Sequence, residues 1–239
     1  MNPMHQFEVK TLVPFEFDGF NLSFTNSSLF MVLAVICGIG TMWFLLRRGA
    51  LIPTTGQSIA EVLFGLVRST ARDNIGEDYK TFLPFIFSVF LMVFMGNLLG
   101  LFPYSFTFTS QLAPVGVFAL LGLCVSVGVG IYRHGFKWLH TFMPAGIPVV
   151  MAPIVVPIEM ISFLAKPFSL TVRLVMNMVV GHVLLKIIAG FIYTSGLVGV
   201  LPLLFVGILL VFELGIAFLQ AYIYTILTSV YLGEAVNSH

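Results

Sequence analysis

The sequence predicts an all-α protein that crosses a membrane several times. Of its 239 residues, 59% are hydrophobic and only 9% are charged, whereas a typical soluble domain carries about 25% charged residues. Several uncharged stretches reach about 18 residues or more, the length an α-helix needs to cross the ~30 Å hydrocarbon layer. The membrane helices themselves form the domain, so we expect a single membrane domain over residues 1–239.

The N-terminal part predicts one transmembrane helix with the N-terminus outside. Residues 1–28 form an outer segment in which acidic side chains outnumber basic ones, and the uncharged stretch 29–46 is long enough to span the bilayer. Arg47 and Arg48 follow directly. The positive-inside rule therefore places this end of the helix on the inner side of the membrane.

Residues 57–72 predict an amphipathic helix on the inner surface. Glu61, Arg68 and Arg72 fall on one side, and residues 73–78 form a turn that ends the helix. Such a segment is too polar to cross the bilayer and is typical of a helix lying in the interface. The apolar residues recur at helical spacing on the other side: Ile59, Val62, Leu63, Leu66 and Val67.

A transmembrane hairpin is predicted next, with helices at 81–101 and 115–132. The loop 102–111 between them carries no charge, and Arg133 and Lys137 follow the second helix. The basic residues therefore stay on the inner side through three crossings.

The two C-terminal apolar segments are too long for upright crossings. A continuous helix over residues 148–193 would be ~69 Å long and one over 197–232 ~54 Å. Splitting each into a hairpin is one solution, but the last segment shows no turn signal. We instead expect two long, steeply tilted antiparallel helices at 147–194 and 197–234, joined by a tight turn at 194–196, with the C-terminus inside.

Arg173 is the most costly residue in this interior. A charge at membrane depth costs at least ~2.5–3.5 kcal/mol, and arginine does not escape that cost by losing its proton. Glu159, Lys166 and Arg173 follow one another at intervals of seven and share one helix face. An ion pair with Glu159 is a weak explanation, because ~21 Å along the helix separates the two.

The acidic residues and His182 fall in two places. On an antiparallel helix pair, His182 and Glu213 lie toward the outer half, Glu159 and Glu234 lie toward the inner end, and Arg173 lies between the two groups. Carboxylates and imidazoles at membrane depth can relay protons. The arrangement indicates two aqueous half-paths with a fixed positive charge between them.

Each residue also has a structural interpretation. His182 alone would more often be a hydrogen-bonded interior histidine, and Glu213 alone a buried neutral acid. Asn177 and Gln220 could be interhelical hydrogen-bonding groups worth about 0.6 kcal/mol each. Lys166 fits a side chain that extends its charge to the membrane surface. It is the combination of these groups that favours proton transport.

The motifs PIEMISFLAKPFSLTVRLVMNMVVGH and FELGIAFLQAYIYTILTSVYLGEA resemble subunit a of the F-type ATP synthases, as do FEFDGFNLSFTNSSLFM and MGNLLGLFPY. The resemblance implies a proton-translocating stator subunit beside the rotating c-ring, without ATP chemistry of its own. Arg173 matches the essential arginine that faces the ring carboxylates. The remaining matches are the inlet residues Asn177, His182, Glu213 and Gln220, and the exit residues Glu159 and Glu234.

The resemblance also implies partners and a location. The partners are the c-ring, the peripheral-stalk subunit b and the other membrane-sector subunits, within the lipid bilayer, with protons as the transported ion. No cofactor, metal or nucleic acid is expected. The arrangement of the inlet acid and histidine is similar to that of mitochondrial and alphaproteobacterial members. The expected location is therefore the mitochondrial inner membrane, with an alphaproteobacterial plasma membrane as the alternative.

Two rival functions fit the composition. A proton-coupled secondary transporter would also carry intramembrane Arg, Glu and His, but it predicts internal repeats, and none is visible. A haem-bearing respiratory subunit needs axial histidines at membrane depth. Of the five histidines, only His182 lies deep in an apolar segment, which argues against a bis-histidine haem.

Overall fold

Six long helices dominate the described part of the chain. Five helical stretches are long and apolar enough to cross a membrane, and one of them contains two of the six helices. This confirms the prediction of an all-α polytopic membrane protein. The helices are α1 (Asn26–Leu46), α2 (Thr55–Ile75), α3 (Tyr79–Gly100), α4 (Leu112–His134), α5 (Ala152–Thr194) and α6 (Val200–Val236). The computed structural model describes residues 8–14, 16–17, 20–21, 23–47, 49, 52–102, 105–135, 138, 151–194 and 200–237.

The last two helices are continuous. α5 has 43 residues and α6 has 37, so at 1.5 Å per residue they are ~65 Å and ~56 Å long. The beginning of the first predicted segment, 147–150, lies outside the described residues, as do Ser195 and Gly196 of the predicted connecting turn. Neither segment is split into a hairpin within the described range.

Pro167 lies inside α5 without ending it. A proline has no N–H, so the carbonyl four residues earlier, that of Phe163, loses its helical hydrogen bond. The hydroxyl of Tyr231 on α6 donates to this carbonyl at 2.9 Å. An unpaired carbonyl costs several kcal/mol in a membrane interior, so Tyr231 allows α5 to continue through the proline.

The chain divides into two compact units. The first, unit 1, comprises Met1–Arg47, Leu91–Val115 and Arg173–Ala221. The second, unit 2, comprises Arg48–Phe90, Gly116–Val172 and Tyr222–His239. Helices α3, α4, α5 and α6 each contribute residues to both units.

In unit 1, the loop between α3 and α4 packs on glycines of α3. A Cβ added to Gly96 would overlap the ring of Phe108, and one added to Gly100 would overlap Thr107. The absence of side chains at these two positions, one helical turn apart, lets the loop lie close to the helix. Further along α3, the rings of Phe94 and Phe218 meet edge to face, with centroids 6.0 Å apart.

In unit 2, the C-terminal turn of α6 is fixed by α2 and α4. Gly233 lies so close to the Asn74 carbonyl that a Cβ would overlap it. Asn237 Nδ2 donates to the Ile75 carbonyl at 3.2 Å. From α4, Ser126 Oγ donates to the Tyr231 carbonyl at 2.6 Å. These contacts fix the last two turns of α6, where one of the predicted exit acids lies.

α2 is longer than the predicted helix, and one side of it packs inside unit 2. It continues to Ile75 and ends at Gly76, whose φ of 82° suits glycine. Ile59 and Val62 of the predicted apolar face are 53% and 68% exposed. The side chains that pack inside the protein are mostly small, which explains the weak signal in the sequence: Ala60, Val67, Thr70, Ala71 and Ile75.

Two further features were not anticipated from sequence. The N-terminal segment forms short antiparallel strand pairs, one joining Thr11–Val13 to Phe24–Thr25 and the other joining Glu16–Phe17 to Phe20–Asn21. The two cysteines are free thiols, of which Cys124 is exposed and Cys37 is partly exposed.

Candidate functional site

Arg173 lies on an exposed apolar stripe of α5. Its side chain is exposed, and within the described part of the chain it forms no ion pair. The same face continues along the helix, in steps of three and four residues, with exposed apolar side chains: Met176, Val180, Leu184, Ile187 and Phe191. A charged guanidinium surrounded by such side chains is suited to an interface with another subunit, because lipid would not solvate it.

Glu213 is a buried acid whose carboxylate has no hydrogen-bond partner among the described residues. The residue is 5% exposed, and neither carboxylate oxygen accepts a hydrogen bond from the described residues. It lies against Gly181 on α5, where an added Cβ would overlap the carboxylate. Buried polar groups are nearly always hydrogen-bonded to protein or to water. The carboxylate is therefore placed where water is its natural partner.

Asn97 of α3 contacts the side of α6 that carries Glu213. It is fully buried, and its Nδ2 donates to the Ala217 carbonyl at 3.3 Å, one turn after Glu213. Its Oδ1 has no partner among the described residues, and neither has Oε1 of Gln220, which is 4% exposed. We call Asn97, Glu213 and Gln220 the α6 polar cluster. Three buried groups with unsatisfied oxygens on one stripe are typical of a hydrated path.

His182 is held by a residue of the α3–α4 loop. Its Nε2 lies 3.1 Å from the hydroxyl oxygen of Thr107, which is itself 4% exposed. His182 directly follows Gly181, which contacts Glu213. Because the Glu213 oxygens accept no hydrogen bond from the described residues, His182 and Glu213 do not pair directly. A proton passing between them requires a water.

Asn177 lies one helical turn after Arg173 on α5. Its side chain is partly exposed, and it forms no side-chain hydrogen bond with the described residues. All the predicted inlet residues fall in unit 1 together with Arg173: Asn177, His182, Glu213 and Gln220.

The predicted exit acids fall in unit 2 together with a lysine. Lys166 Nζ lies 3.7 Å from Glu234 Oε1, with the two side chains 44% and 40% exposed. The same ammonium lies 5.9 Å from the centre of the Tyr231 ring. Phe163 contacts Tyr231 with ring centroids 4.8 Å apart, and Glu159 precedes Phe163 by one turn. The antiparallel pairing of α5 and α6 in this unit therefore brings Glu159 to the level of Glu234.

Comparison with known proteins gives a single result. The ATP synthase A chain family matches residues 28–233. ATP synthase subunit a of Rhodospirillum rubrum is 46% identical over 240 residues, covering 100% of this chain and 99% of the relative. The subunit a proteins of Agrobacterium fabrum and Rhizobium johnstonii are 42% and 41% identical over 243 residues, each covering 99% of this chain and 98% and 97% of the relative.

The chain belongs to the ATP synthase A chain family. It is a proton-translocating membrane subunit of an F-type ATP synthase and part of the membrane sector. The resemblance inferred from the sequence motifs is confirmed, and the secondary-transporter alternative is set aside. The relatives named above are bacterial, so the expected mitochondrial location is not supported by them.

In this member of the family, the structure brings three further residues to the candidate site that were not assigned to it from the sequence. Thr107 and Asn97 contact His182 and α6, respectively, and Lys166 pairs with Glu234. From the sequence, Lys166 was expected to extend its charge to the membrane surface, although it lies seven residues before Arg173 on the same helix face. Asn97 lies in MGNLLGLFPY, where a lone amide in an apolar helix was the available signal. Thr107 gave no signal.

The close contact at Gly181 leads to a prediction. Gly181→Ala forces the Glu213 carboxylate to move, because the new methyl group occupies its place. We expect proton flux through the assembled complex to fall several-fold. The added methyl group overpacks the site, which lowers the stability by about 1–3 kcal/mol at most. Flux is measured as ATP-driven acidification of vesicles that contain the complex.

Gly190→Ala is the matched control on the same helix. Nothing lies within 4 Å of a Cβ added at Gly190, and alanine favours a helix over glycine by about 1 kcal/mol. Proton flux should be unchanged in this variant. Equal flux in the two variants would show that the position of the Glu213 carboxylate does not matter.

Proposed function

We propose that this subunit forms two offset proton half-channels against a rotating ring of carboxylate-bearing subunits. The observation that carries the proposal is Arg173, an exposed charge without an ion-pair partner among the described residues, on an apolar stripe. Its counter-charge is therefore expected on another subunit. A ring of identical small subunits, each with one carboxylate at mid-membrane depth, supplies such a charge repeatedly.

The inlet half-channel is built from the α6 polar cluster together with His182 and Asn177. A proton enters from the outer side, where the N-terminus lies in the proposed orientation, and passes Glu213 and His182 through intervening water. It then neutralises a ring carboxylate. A neutral carboxyl group can rotate through lipid, whereas an ionised one would pay a cost of several kcal/mol or more.

The exit half-channel is built from Glu159 and Glu234. After nearly a full turn of the ring, the carboxyl group releases its proton here toward the inner side. Lys166 supports the assignment, because its ammonium lies 3.7 Å from Glu234 Oε1 and so brings a positive charge beside one of the proposed exit acids. The similarity to bacterial relatives favours a bacterial plasma membrane as the location.

Arg173 separates the two half-channels. It stabilises the ionised ring carboxylate as it passes, and its fixed positive charge repels a proton that would leak directly from inlet to exit. The driving force is about 2.3 kcal/mol per charge per 100 mV, plus the contribution of the pH difference. The remaining partners are the peripheral-stalk subunit b and the other membrane-sector subunits. ATP chemistry takes place elsewhere in the complex.

Cross-linking tests which face of α5 meets the ring. Met176→Cys, on the exposed stripe (57% exposed), is labelled with a photoactivatable thiol reagent in the assembled complex. We expect a cross-link to a small hairpin subunit with one mid-membrane carboxylate, identified by mass spectrometry. Met178→Cys, at a fully buried position two residues further on, is the control. Cross-links from position 176 to lipid alone would argue against the proposal that this face of α5 meets the ring.

A further inference from the structure

Thr107 connects the α3–α4 loop to the proposed inlet. Its hydroxyl oxygen lies 3.1 Å from His182 Nε2, although the two residues are 75 positions apart in the sequence. Thr107 is 4% exposed, so water does not readily replace this contact. A buried hydrogen bond between a loop hydroxyl and an imidazole fixes both the position and the rotation of the ring.

The loop around Thr107 is built to hold the hydroxyl in place. The side chain packs over Gly100, where a Cβ would overlap it. The Thr107 carbonyl accepts hydrogen bonds from Ser110 Oγ at 2.6 Å and from Ser110 N at 3.1 Å. Ser105 Oγ donates to the Leu99 carbonyl at 2.6 Å. The loop is therefore attached to the end of α3 at Ser105 and closed on itself by Ser110.

A hydroxyl group suits a partner that gains and loses a proton. It donates to Nε2 when that nitrogen is unprotonated, and it accepts when Nε2 carries a hydrogen. In the second case the hydroxyl hydrogen can turn to the Gly100 carbonyl oxygen, 3.5 Å away. The Thr107–His182 contact therefore persists in both protonation states without movement of the loop.

We propose that Thr107 is a positioning residue that keeps the His182 ring in place while a proton passes. This inference rests on the proposed function, because it assigns a role to His182 in the inlet. Other charged groups near His182 are Lys186, one turn further along α5, and Glu213, which packs against the neighbouring Gly181. The lysine ammonium is a donor only, and the Glu213 oxygens accept no hydrogen bond from the described residues.

Two substitutions at Thr107 separate the hydroxyl from the packing. Thr107→Val keeps the shape and removes the hydroxyl, and Thr107→Ser keeps the hydroxyl and removes the methyl group. We expect ATP-driven proton pumping by the vesicle-reconstituted complex to fall about tenfold in Thr107→Val, the effect of one lost hydrogen bond to a group that becomes charged. Thr107→Ser should retain a rate within about threefold of the wild type.

A purely structural role gives the opposite order, with valine tolerated and serine harmful, and that result would overturn the inference. If Thr107→Val fails to assemble, Thr107→Ser is compared with Thr107→Ala, and equal rates for these two would also overturn it. Thr70→Val is the control, because the buried Thr70 hydroxyl donates to the Leu66 carbonyl of its own helix at 2.9 Å. Its rate should match the wild type.

His182→Ala distinguishes the inference from the proposed function beneath it. If His182→Ala abolishes pumping and Thr107→Val does not reduce it, only the role of Thr107 is refuted. If His182→Ala pumps at the wild-type rate, the inlet assignment itself fails.

Discussion

We expect Arg173→Ala to abolish proton-driven ATP synthesis while the complex still assembles. The guanidinium is exposed on its helix and forms no ion pair within the described chain, so its removal breaks no intramolecular contact that assembly needs. What is lost is the only fixed positive charge proposed to face the passing ring carboxylate. Without it, the ionised carboxylate has no partner at that point, and protons can leak between the half-channels. Synthesis is measured in vesicles with an imposed pH gradient and membrane potential.

Arg173→Lys should be nearly as damaging. A lysine at this depth can lose its proton, and its ammonium cannot bind a carboxylate through two parallel hydrogen bonds. The control is Arg133→Ala, which removes an arginine paired with Asp78 at a site where the side chains are 35% and 48% exposed. Such a pair contributes about 0–1 kcal/mol, so synthesis should be unaffected. ATP synthesis at the wild-type rate in purified Arg173→Ala would disprove the role of this residue.

Glu213→Gln lowers proton flux about a hundredfold, the contribution expected of one proton-transferring group. Glutamine has nearly the same shape as glutamate, but it neither takes up nor releases a proton near neutral pH. The site is 5% exposed and its carboxylate has no partner among the described residues. The substitution therefore breaks no observed contact, and the loss of flux reports on chemistry. Flux is measured by vesicle acidification, and assembly by co-purification of the complex.

Glu61→Gln is the matched control for this substitution. Glu61 is exposed on α2 and accepts a hydrogen bond from Gln57 Nε2 at 2.8 Å, and it has no assigned role in proton transfer. Its flux should stay within about twofold of the wild type, as for most surface substitutions. Wild-type flux in Glu213→Gln would remove this acid from the inlet.

A double-mutant cycle on proton flux tests whether His182 and Glu213 act in one path. Because the two residues do not hydrogen-bond directly, coupling between them must pass through water in the same channel. We expect the double variant to be no worse than the more damaging single variant, which is strong coupling. Losses that simply add would place the two residues in independent paths.

Composition and periodicity were sufficient to predict the helices of this chain. Lengths and charges located the membrane-crossing segments, and the lack of a turn signal in the last segment matched the continuous α6. The buried side of α2 gave a weak signal in the sequence, because two of its five residues are alanines and a third is a threonine. Hydrophobic periodicity is insensitive to such a face, because alanine contributes little to the pattern by which a buried side is recognised.

The candidate site was predicted only as far as the positions along each helix allowed. Seven-residue spacing related Glu159, Lys166 and Arg173, since residues two turns apart share a helix face. Spacing does not say which residue of another helix lies opposite. The Lys166–Glu234 pair was therefore missed.

By itself, the sequence determined the fold class, the family and the isolated charge at Arg173, because hydrophobic length, motifs and the cost of a buried charge are properties of local stretches. Only the tertiary structure decided the partners of the polar groups. Thr107 reaches His182 across 75 residues, Asn97 reaches Ala217 across 120, and Tyr231 reaches Phe163 across 68. Each contact depends on how closely two elements approach. Gly100 allows Thr107 to come close to α3, and Pro167 leaves free the carbonyl that Tyr231 contacts. The order of residues along the chain does not encode these distances.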